Sequence, residues 1–190
     1  MKKIFLTLFF IIFSTNLYAS NIKKVYFAGG CFWCMEESFD KVKGVIETIS
    51  GYSGGHVKNP KYKDVVKNTT GHYETLEITY DSSITNFEKL LEIFWINIDP
   101  FDANGQFCDK GESYKSVVFY ENNDQKKIIE TSIKNIENRF NRKVVTYVKN
   151  FKEFYMAETY HQDYYEKNFI RYLMYKKGCQ REEILNKIWG

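Results

Sequence analysis

Lys24-Val25-Tyr26-Phe27-Ala28-Gly29-Gly30-Cys31-Phe32-Trp33-Cys34 is the stretch on which the fold turns. Its first five residues read as a strand and the two glycines as a tight turn. From Cys31 onward Phe32, Met35, Phe39 and Val42 recur at helical spacing. Strand, turn and helix start therefore put Cys31 at a helix N-terminus, where unpaired N–H groups and the helix dipole favour negative charge. Such a position predicts a lowered thiol pKa and a larger fraction of thiolate, the nucleophilic form. Cys34 lies one turn on, within reach of a disulfide after local adjustment. The bland alternative is two packed core cysteines. A zinc site needs four ligands, usually in close pairs, and Cys108 and Cys179 stand alone in the sequence.

Outward from this stretch, strands and helices alternate. Val45–Ser50 is a β-branched strand and Gly51-Tyr52-Ser53-Gly54-Gly55 a flexible turn. Asn59-Pro60 reads as an N-cap and first helical position for a short helix carrying Tyr62, Val65 and Val66. Glu74–Tyr80 alternates as a strand. Thr85 and Glu88 match a capping box ahead of Phe87, Leu90, Leu91, Phe94 and Ile98, and Asp99-Pro100 ends that helix. A long loop runs to about Ser113. A strand over Tyr114–Glu121, a helix over Asp124–Phe140 and a strand over Val144–Val148 follow, then an aromatic-rich, partly helical segment. No linker or repeat interrupts the chain, so one mixed α and β domain is expected.

Residues 1–19 stand outside that pattern. Lys2 and Lys3 precede an apolar run, Ile4 to Phe13, and Leu17-Tyr18-Ala19 offers a small residue for cleavage. That is the layout of an export signal, too short for a comfortable membrane span; the alternative is an uncleaved anchor. The expected domain is 20–190, exported and periplasmic, with no membrane span after cleavage. The formal charge of +3 over 190 residues falls to +1 when the two lysines leave, which removes the electrostatic argument for a nucleic-acid partner. Four cysteines are too few for a disulfide scaffold but enough for one redox site. The 15 tyrosines suit concave sites as well as cores.

Glu74 is the second chemical signal. Glu74, Leu76, Ile78 and Tyr80 share one strand face, which is apolar apart from the carboxylate. If that face is buried, desolvation keeps Glu74 protonated near neutrality and equips it as a general acid. If Glu74 sits at a frayed strand end, it is merely a wet carboxylate. Both readings stand at this point.

Gly30-Cys31-Phe32-Trp33, Gly51-Tyr52-Ser53-Gly54-Gly55, Asn59-Pro60-Lys61-Tyr62, Thr70-Gly71-His72-Tyr73-Glu74, Phe94-Trp95, Asp99-Pro100, Gln106-Phe107-Cys108-Asp109 and Tyr160-His161-Gln162-Asp163-Tyr164-Tyr165 carry a resemblance. In this order they resemble the A-type methionine sulfoxide reductases, the peptide-methionine (S)-S-oxide reductases, from about Val25 to Gly190. The resemblance implies an α+β fold, a two-layer α/β sandwich built as a ferredoxin-like plait with a mixed sheet. It also implies that Cys31 attacks the sulfoxide sulfur, and that Glu74 protonates or hydrogen-bonds its oxygen. Tyr62 and Tyr114 would bond the same oxygen. Asp109 would help arrange the site, and Phe32 and Trp33 would line an apolar slot for the substrate methyl, with His161 also lining the site. Sulfoxide oxygen is a strong acceptor and a poor leaving group until protonated, so a neutral acid and two phenols suit it.

Attack leaves a sulfenic acid on Cys31, which a second thiol must resolve to a disulfide. Cys34 is the nearest in sequence; Cys179 resembles the family's recycling cysteine, and the two can act in turn. Cys108 reads as a small buried hydrophobe. Glu158 and His161 have the spacing of half a di-metal motif, and with no second copy a metal is rejected. Expected substrates are methionine sulfoxide in proteins and free. No bound cofactor is expected, and an exported thiol enzyme needs a reductant, for which a thioredoxin-like protein is the expectation. Two competing readings remain. One is a thioredoxin-like dithiol-disulfide oxidoreductase built on Cys31 and Cys34, although the usual tryptophan before the first cysteine is here Gly30. The other is a non-catalytic module that binds through an aromatic cleft.

Overall fold

In a computed structural model, which describes residues 21–190, the chain folds around one mixed sheet. The predicted export signal at 1–19 lies outside the described residues. Among the described residues the strands and α-helices follow in the order β1 (Ile22–Ala28), α1 (Phe32–Asp40), β2 (Val45–Ser53), α2 (Tyr62–Val65), β3 (Tyr73–Asp81), α3 (Phe87–Ile96), β4 (Gly105–Gln106), β5 (Asp109–Lys110), β6 (Val117–Tyr120), α4 (Asn123–Phe140), β7 (Tyr147–Asn150), β8 (Phe154–Met156), α5 (Tyr164–Lys167), α6 (Phe169–Gly178) and α7 (Arg181–Trp189). The six-stranded sheet runs β7-β6-β1-β3-β2-β8, antiparallel throughout except for the β6–β7 pair. No helix among the described residues is long and apolar enough to cross a membrane.

One sheet face packs its alternate residues, Val25, Phe27, Leu76, Ile78 and Val118, under α1, α3 and α4, which supply Met35, Phe39, Leu90, Phe94 and Ile129. The other face carries Tyr26, Tyr73 and Phe119, covered by the β7–β8 connection, where Phe151 stacks on Tyr26 at 3.7 Å between ring centroids. The C-terminal helices return over α1. Tyr172 donates to Glu37 at 2.7 Å, Tyr165 to Asp40 at 2.6 Å, and Trp189 Nε1 to the Ile98 carbonyl at 3.0 Å.

Several local expectations shift, each because a distant segment supplies a partner. Gly51, Tyr52 and Ser53 are strand, paired with Thr75, Glu74 and Tyr73, and the turn begins at Gly54. Gly51 is required there because a Cβ would lie 2.3 Å from the Phe154 ring and 2.4 Å from the Tyr155 carbonyl. The short helix begins at Tyr62 rather than at Pro60, and the Glu158 carboxylate accepts its Tyr62 N–H at 3.0 Å. Asn86, not Thr85, caps α3, accepting from Lys89 N at 2.9 Å, and α3 ends at Ile96, ahead of Asp99-Pro100. The long loop contains the small β4–β5 hairpin, Tyr114 sits in a 3-10 turn (Glu112–Tyr114), and the last long strand is Tyr147–Asn150 rather than 144–148.

Glu36 is a buried charge risk inside α1. It is fully buried, and neither carboxyl oxygen has a hydrogen-bond partner; the N–H groups of Asp163 and Tyr164 face it without closing one. Burial, with Asp40 and Asp163 adding like charge, pushes its pKa up to about 8. The folded protein thus keeps a proton that the unfolded chain loses at an ordinary carboxylate pKa. The stability gained below that pKa falls as pH rises through it and is lost by about pH 8. Thermal melts should show Tm declining between pH 5 and 8, and Glu36→Gln should flatten that decline; parallel slopes in the two proteins would refute the assignment.

Candidate active site

β1 runs into α1 through Gly29-Gly30, and Gly30 takes a left-handed φ of 81°. A Cβ there would sit 2.5 Å from Gln106 Cβ, so only glycine lets the β4–β5 hairpin lie against the start of α1. Buried Gln106 locks that hairpin to the backbone of Asp99 through two bonds of 2.8 Å. The hairpin thereby brings Asp109 to the cysteines.

Cys31 is the N-cap of α1, its carbonyl accepting from Cys34 N at 3.1 Å and Met35 N at 3.3 Å. Both Cys31 and Cys34 are free thiols, 5% and 2% exposed, packed in one buried cluster. Helix-start electrostatics lead one to expect a lowered Cys31 pKa. Burial here pushes the Cys31 thiol up, and the neighbouring Cys34 and Glu74 charges add to the rise. The helix start is partly spent on another acceptor, since Glu74 Oε2 takes the Phe32 N–H at 3.1 Å.

Glu74 lies opposite Tyr52 across the β2–β3 ladder and is 2% exposed, which settles the choice left open by its strand position. Burial raises its pKa well above the carboxylate range, Asp109 and Cys34 add to the rise, and the Phe32 N–H opposes it. A neutral carboxyl therefore stands at the N-terminus of the cysteine helix. The Tyr62 and Tyr114 phenols lie in each other's field and in that of Glu74, and burial above all raises both pKa values and holds the phenols protonated. Tyr62 comes from α2 and Tyr114 from the 3-10 turn, whose Ser113 N–H is anchored to Asn68 Oδ1 at 2.9 Å.

Aromatic rings wall the other side. Trp33 stacks on Tyr164 at 3.8 Å and donates Nε1–H to His161 Nδ1 at 3.2 Å. The His161 ring lies 4.9 Å from Phe32 and 4.5 Å from Tyr62. Burial lowers the His161 pKa to about 4, against the pull of Glu158, so the ring is neutral. With Nδ1 accepting from Trp33, the proton belongs on Nε2, which is buried and has no partner. Glu158 accepts from Tyr52 Oη at 2.9 Å and from Tyr62 N at 3.0 Å. His161→Ala should free the Trp33 indole and raise KM about 10-fold, the worth of roughly one buried hydrogen bond. Steady-state kinetics check this, and an unchanged KM would remove His161 from substrate positioning.

Two tyrosines carry no signal in the sequence. Tyr175 of α6 donates to Asp109 Oδ2 and Tyr172 donates to Glu37, and both rings pack in one cluster with Cys31 and Cys34, where they influence the thiol pKa values. Their i, i+3 spacing matches ordinary helix packing equally well. The largest correction concerns Cys108. It is an exposed residue joined to Cys179 by a disulfide across 71 residues, not a buried bystander. Asp109 is the next residue, and burial raises its carboxyl pKa against the pull of Tyr175, Arg181 and Lys110.

A pair of free thiols at a helix start, a buried carboxyl, two neighbouring phenols and a disulfide define a thiol-dependent oxidoreductase with an aromatic-walled site. Residues 23–190 match the model of the family described as peptide methionine sulfoxide reductase, and the chain belongs to that family. It is 47% identical over 166 residues to the peptide methionine sulfoxide reductase MsrA of Bacillus licheniformis, covering 86% of this chain and 92% of that protein. Among solved structures, Mxr1 of Saccharomyces cerevisiae in reduced form superposes with a TM-score of 0.72 at 29% identity, over 77% of this chain and 86% of that one. Methionine sulfoxide reductase A of Corynebacterium diphtheriae superposes with a TM-score of 0.71 at 26% identity, over 79% and 76%. Mxr1 in complex with Trx2 aligns more loosely, with a TM-score of 0.52 at 19% identity over 75% and 84%, a likeness of fold alone.

Proposed function

We propose that the chain reduces methionine (S)-sulfoxide, in proteins and free, to methionine through a sulfenic acid on Cys31 and then a disulfide, a repair activity. The observation that carries the reading is the buried Glu74, whose Oε2 accepts the first N–H of the Cys31 helix at 3.1 Å and whose pKa burial raises. Glu74 protonates the sulfoxide oxygen, and the Tyr62 and Tyr114 hydroxyls hold that oxygen. As its sulfur attacks the sulfoxide sulfur, the Cys31 thiol gives up its proton, which restores Glu74. Oxygen passes to Cys31, and methionine leaves. Phe32, Trp33 and His161 take the methyl end, and Asp109 fixes Tyr175 beside the attacking thiol.

The test is turnover of stereochemically pure methionine sulfoxides with dithiothreitol. Reduction of the S epimer with little of the R epimer is expected. Activity confined to protein disulfides would favour the dithiol-disulfide oxidoreductase reading instead.

The unit that does this is residues 20–190, with 1–19 as an export signal and the periplasm as destination. Its strand order β6-β1-β3-β2, with α1 and α3 as crossovers, supports reading the core as a ferredoxin-like plait. The electron donor is a thioredoxin-like dithiol protein, a reading supported by the relative Mxr1, which has been solved with Trx2.

A further inference from the structure

β8 ends the six-stranded sheet, and among the described residues no strand pairs with its outer side. Ala157, the residue after it, donates its N–H to the Ser50 carbonyl at 2.9 Å, which makes Ser50 and Ala157 a bonded rung. Rungs of an antiparallel ladder alternate, and the register sets Tyr155 opposite Tyr52 as the next bonded rung. The N–H and C=O groups of Phe154 and Met156 therefore turn away from β2. Sheet edges are usually blunted by charge, and β7 at the other edge carries Lys149. β8 is Phe154-Tyr155-Met156, without charge, and Met156 is 62% exposed. Together with Ile46 and Ile49, Met156 lines a groove of about 490 Å³, room for a side chain of an added strand. The strand leads into the substrate site. Ala157 is buried in one cluster with Phe32 and Tyr52, against which Trp33 and Tyr62 pack. Gln162 ends the ladder there: its amide nitrogen donates to the Ser50 and Ala157 carbonyls, and its oxygen accepts the Ser50 N–H at 2.9 Å.

We propose that β8 is a docking edge for the main chain of the substrate. An extended segment of an oxidised polypeptide adds to it as a further strand and leads its methionine sulfoxide to the slot beyond Ala157. This rests on the sulfoxide reductase reading and adds how a polypeptide substrate is held. Because β8 is continuous with the slot, the strand that fits it is one carrying a sulfoxide, rather than a second copy of this chain. Main-chain groups are common to every sequence, so recognition by an edge tolerates any residues around the sulfoxide. It asks instead for a segment free of helix or sheet partners of its own. The edge offers only the N–H and C=O groups of Phe154 and Met156, so the gain in binding is modest.

The test compares N-acetyl-methionine (S)-sulfoxide amide with a short peptide that carries one methionine (S)-sulfoxide amid valine, threonine and lysine, both turned over with dithiothreitol. The peptide KM is expected to be about 10-fold lower at similar kcat, the worth of one or two backbone hydrogen bonds. Alternate N–H groups of a strand face the same side, so N-methylation separates the two registers. Methylating one alternate set should return KM to that of the blocked amino acid, and methylating the other set should leave it low. Hydrogen exchange is read on the Cys31→Ser chain, in which no turnover removes the peptide. The Phe154 and Met156 N–H groups should gain protection when the peptide is added, and the Tyr155 N–H should not change. Equal KM values for peptide and blocked amino acid, or no difference between the two methylated sets, would each overturn the proposal. So would protection of Phe154 and Met156 that grows with protein concentration in the absence of peptide, the mark of edge pairing between two copies. No reduction of the blocked sulfoxide at all would instead fault the sulfoxide reductase reading, so the two failures are distinguishable.

Discussion

Cys31→Ser is expected to abolish turnover, with a loss of about 10⁴-fold or more. A serine hydroxyl is far less nucleophilic than a thiol, and burial favours the protonated forms of the neighbouring Glu74 carboxyl and Tyr62 and Tyr114 phenols. Nor can serine store the transferred oxygen as a sulfenic acid, so no resolving step follows. The substitution is nearly isosteric and the site remains packed, so Tm should change little. The measurement is single-turnover methionine release from the S epimer, beside a melt that verifies folding. A residual rate above about 1% of wild type would refute Cys31 as the nucleophile.

Glu74→Gln should lower the rate of that first step by about 10²–10⁴-fold, the range for loss of a positioned general acid. Glutamine keeps the shape, can accept the Phe32 N–H, and can hydrogen-bond the sulfoxide oxygen, but it cannot hand over a proton. Binding should therefore survive within a few-fold while chemistry slows. The pH dependence separates this from a merely structural loss. Burial raises the Glu74 pKa, so the competent protonated form persists to a pH well above the carboxylate range. The wild-type single-turnover rate should then fall on the alkaline side, as Glu74 loses its proton, and the Gln variant should lack that limb. An unchanged rate in the variant, or an identical alkaline limb in both proteins, would remove Glu74 from the role.

The site is partly legible in the sequence because several of its parts are local. The turn before Cys31, the helix after it and the alternation of Glu74–Tyr80 follow from periodicity and glycine placement. Burial is what those patterns leave undecided. Glu74 is near the start of its strand, and its solvation depends on whether Gly51–Ser53 continues β2 alongside it. Those residues look like a turn, since glycines bracket them, and become strand only because β3 and β8 supply hydrogen-bond partners on both sides. The Cys31 ionisation expectation shifts for the same kind of reason. Helix-start electrostatics are readable from a dozen residues, but the tyrosines of α6 that bury the thiol arrive about 140 positions later.

By itself the sequence determined the order of the main strands and helices as far as β7, the cysteine at a helix start, and the ordered motifs that resemble the reductase family. These are set by interactions within a turn or two of chain, or by residue identity alone. The tertiary structure alone decided that Cys108 pairs with Cys179, that Glu74 is indoors, and that Tyr175 of the C-terminal helix reaches Asp109. Each of these depends on which distant segments exclude water from a group or meet it within bonding distance, and neither spacing nor composition encodes that.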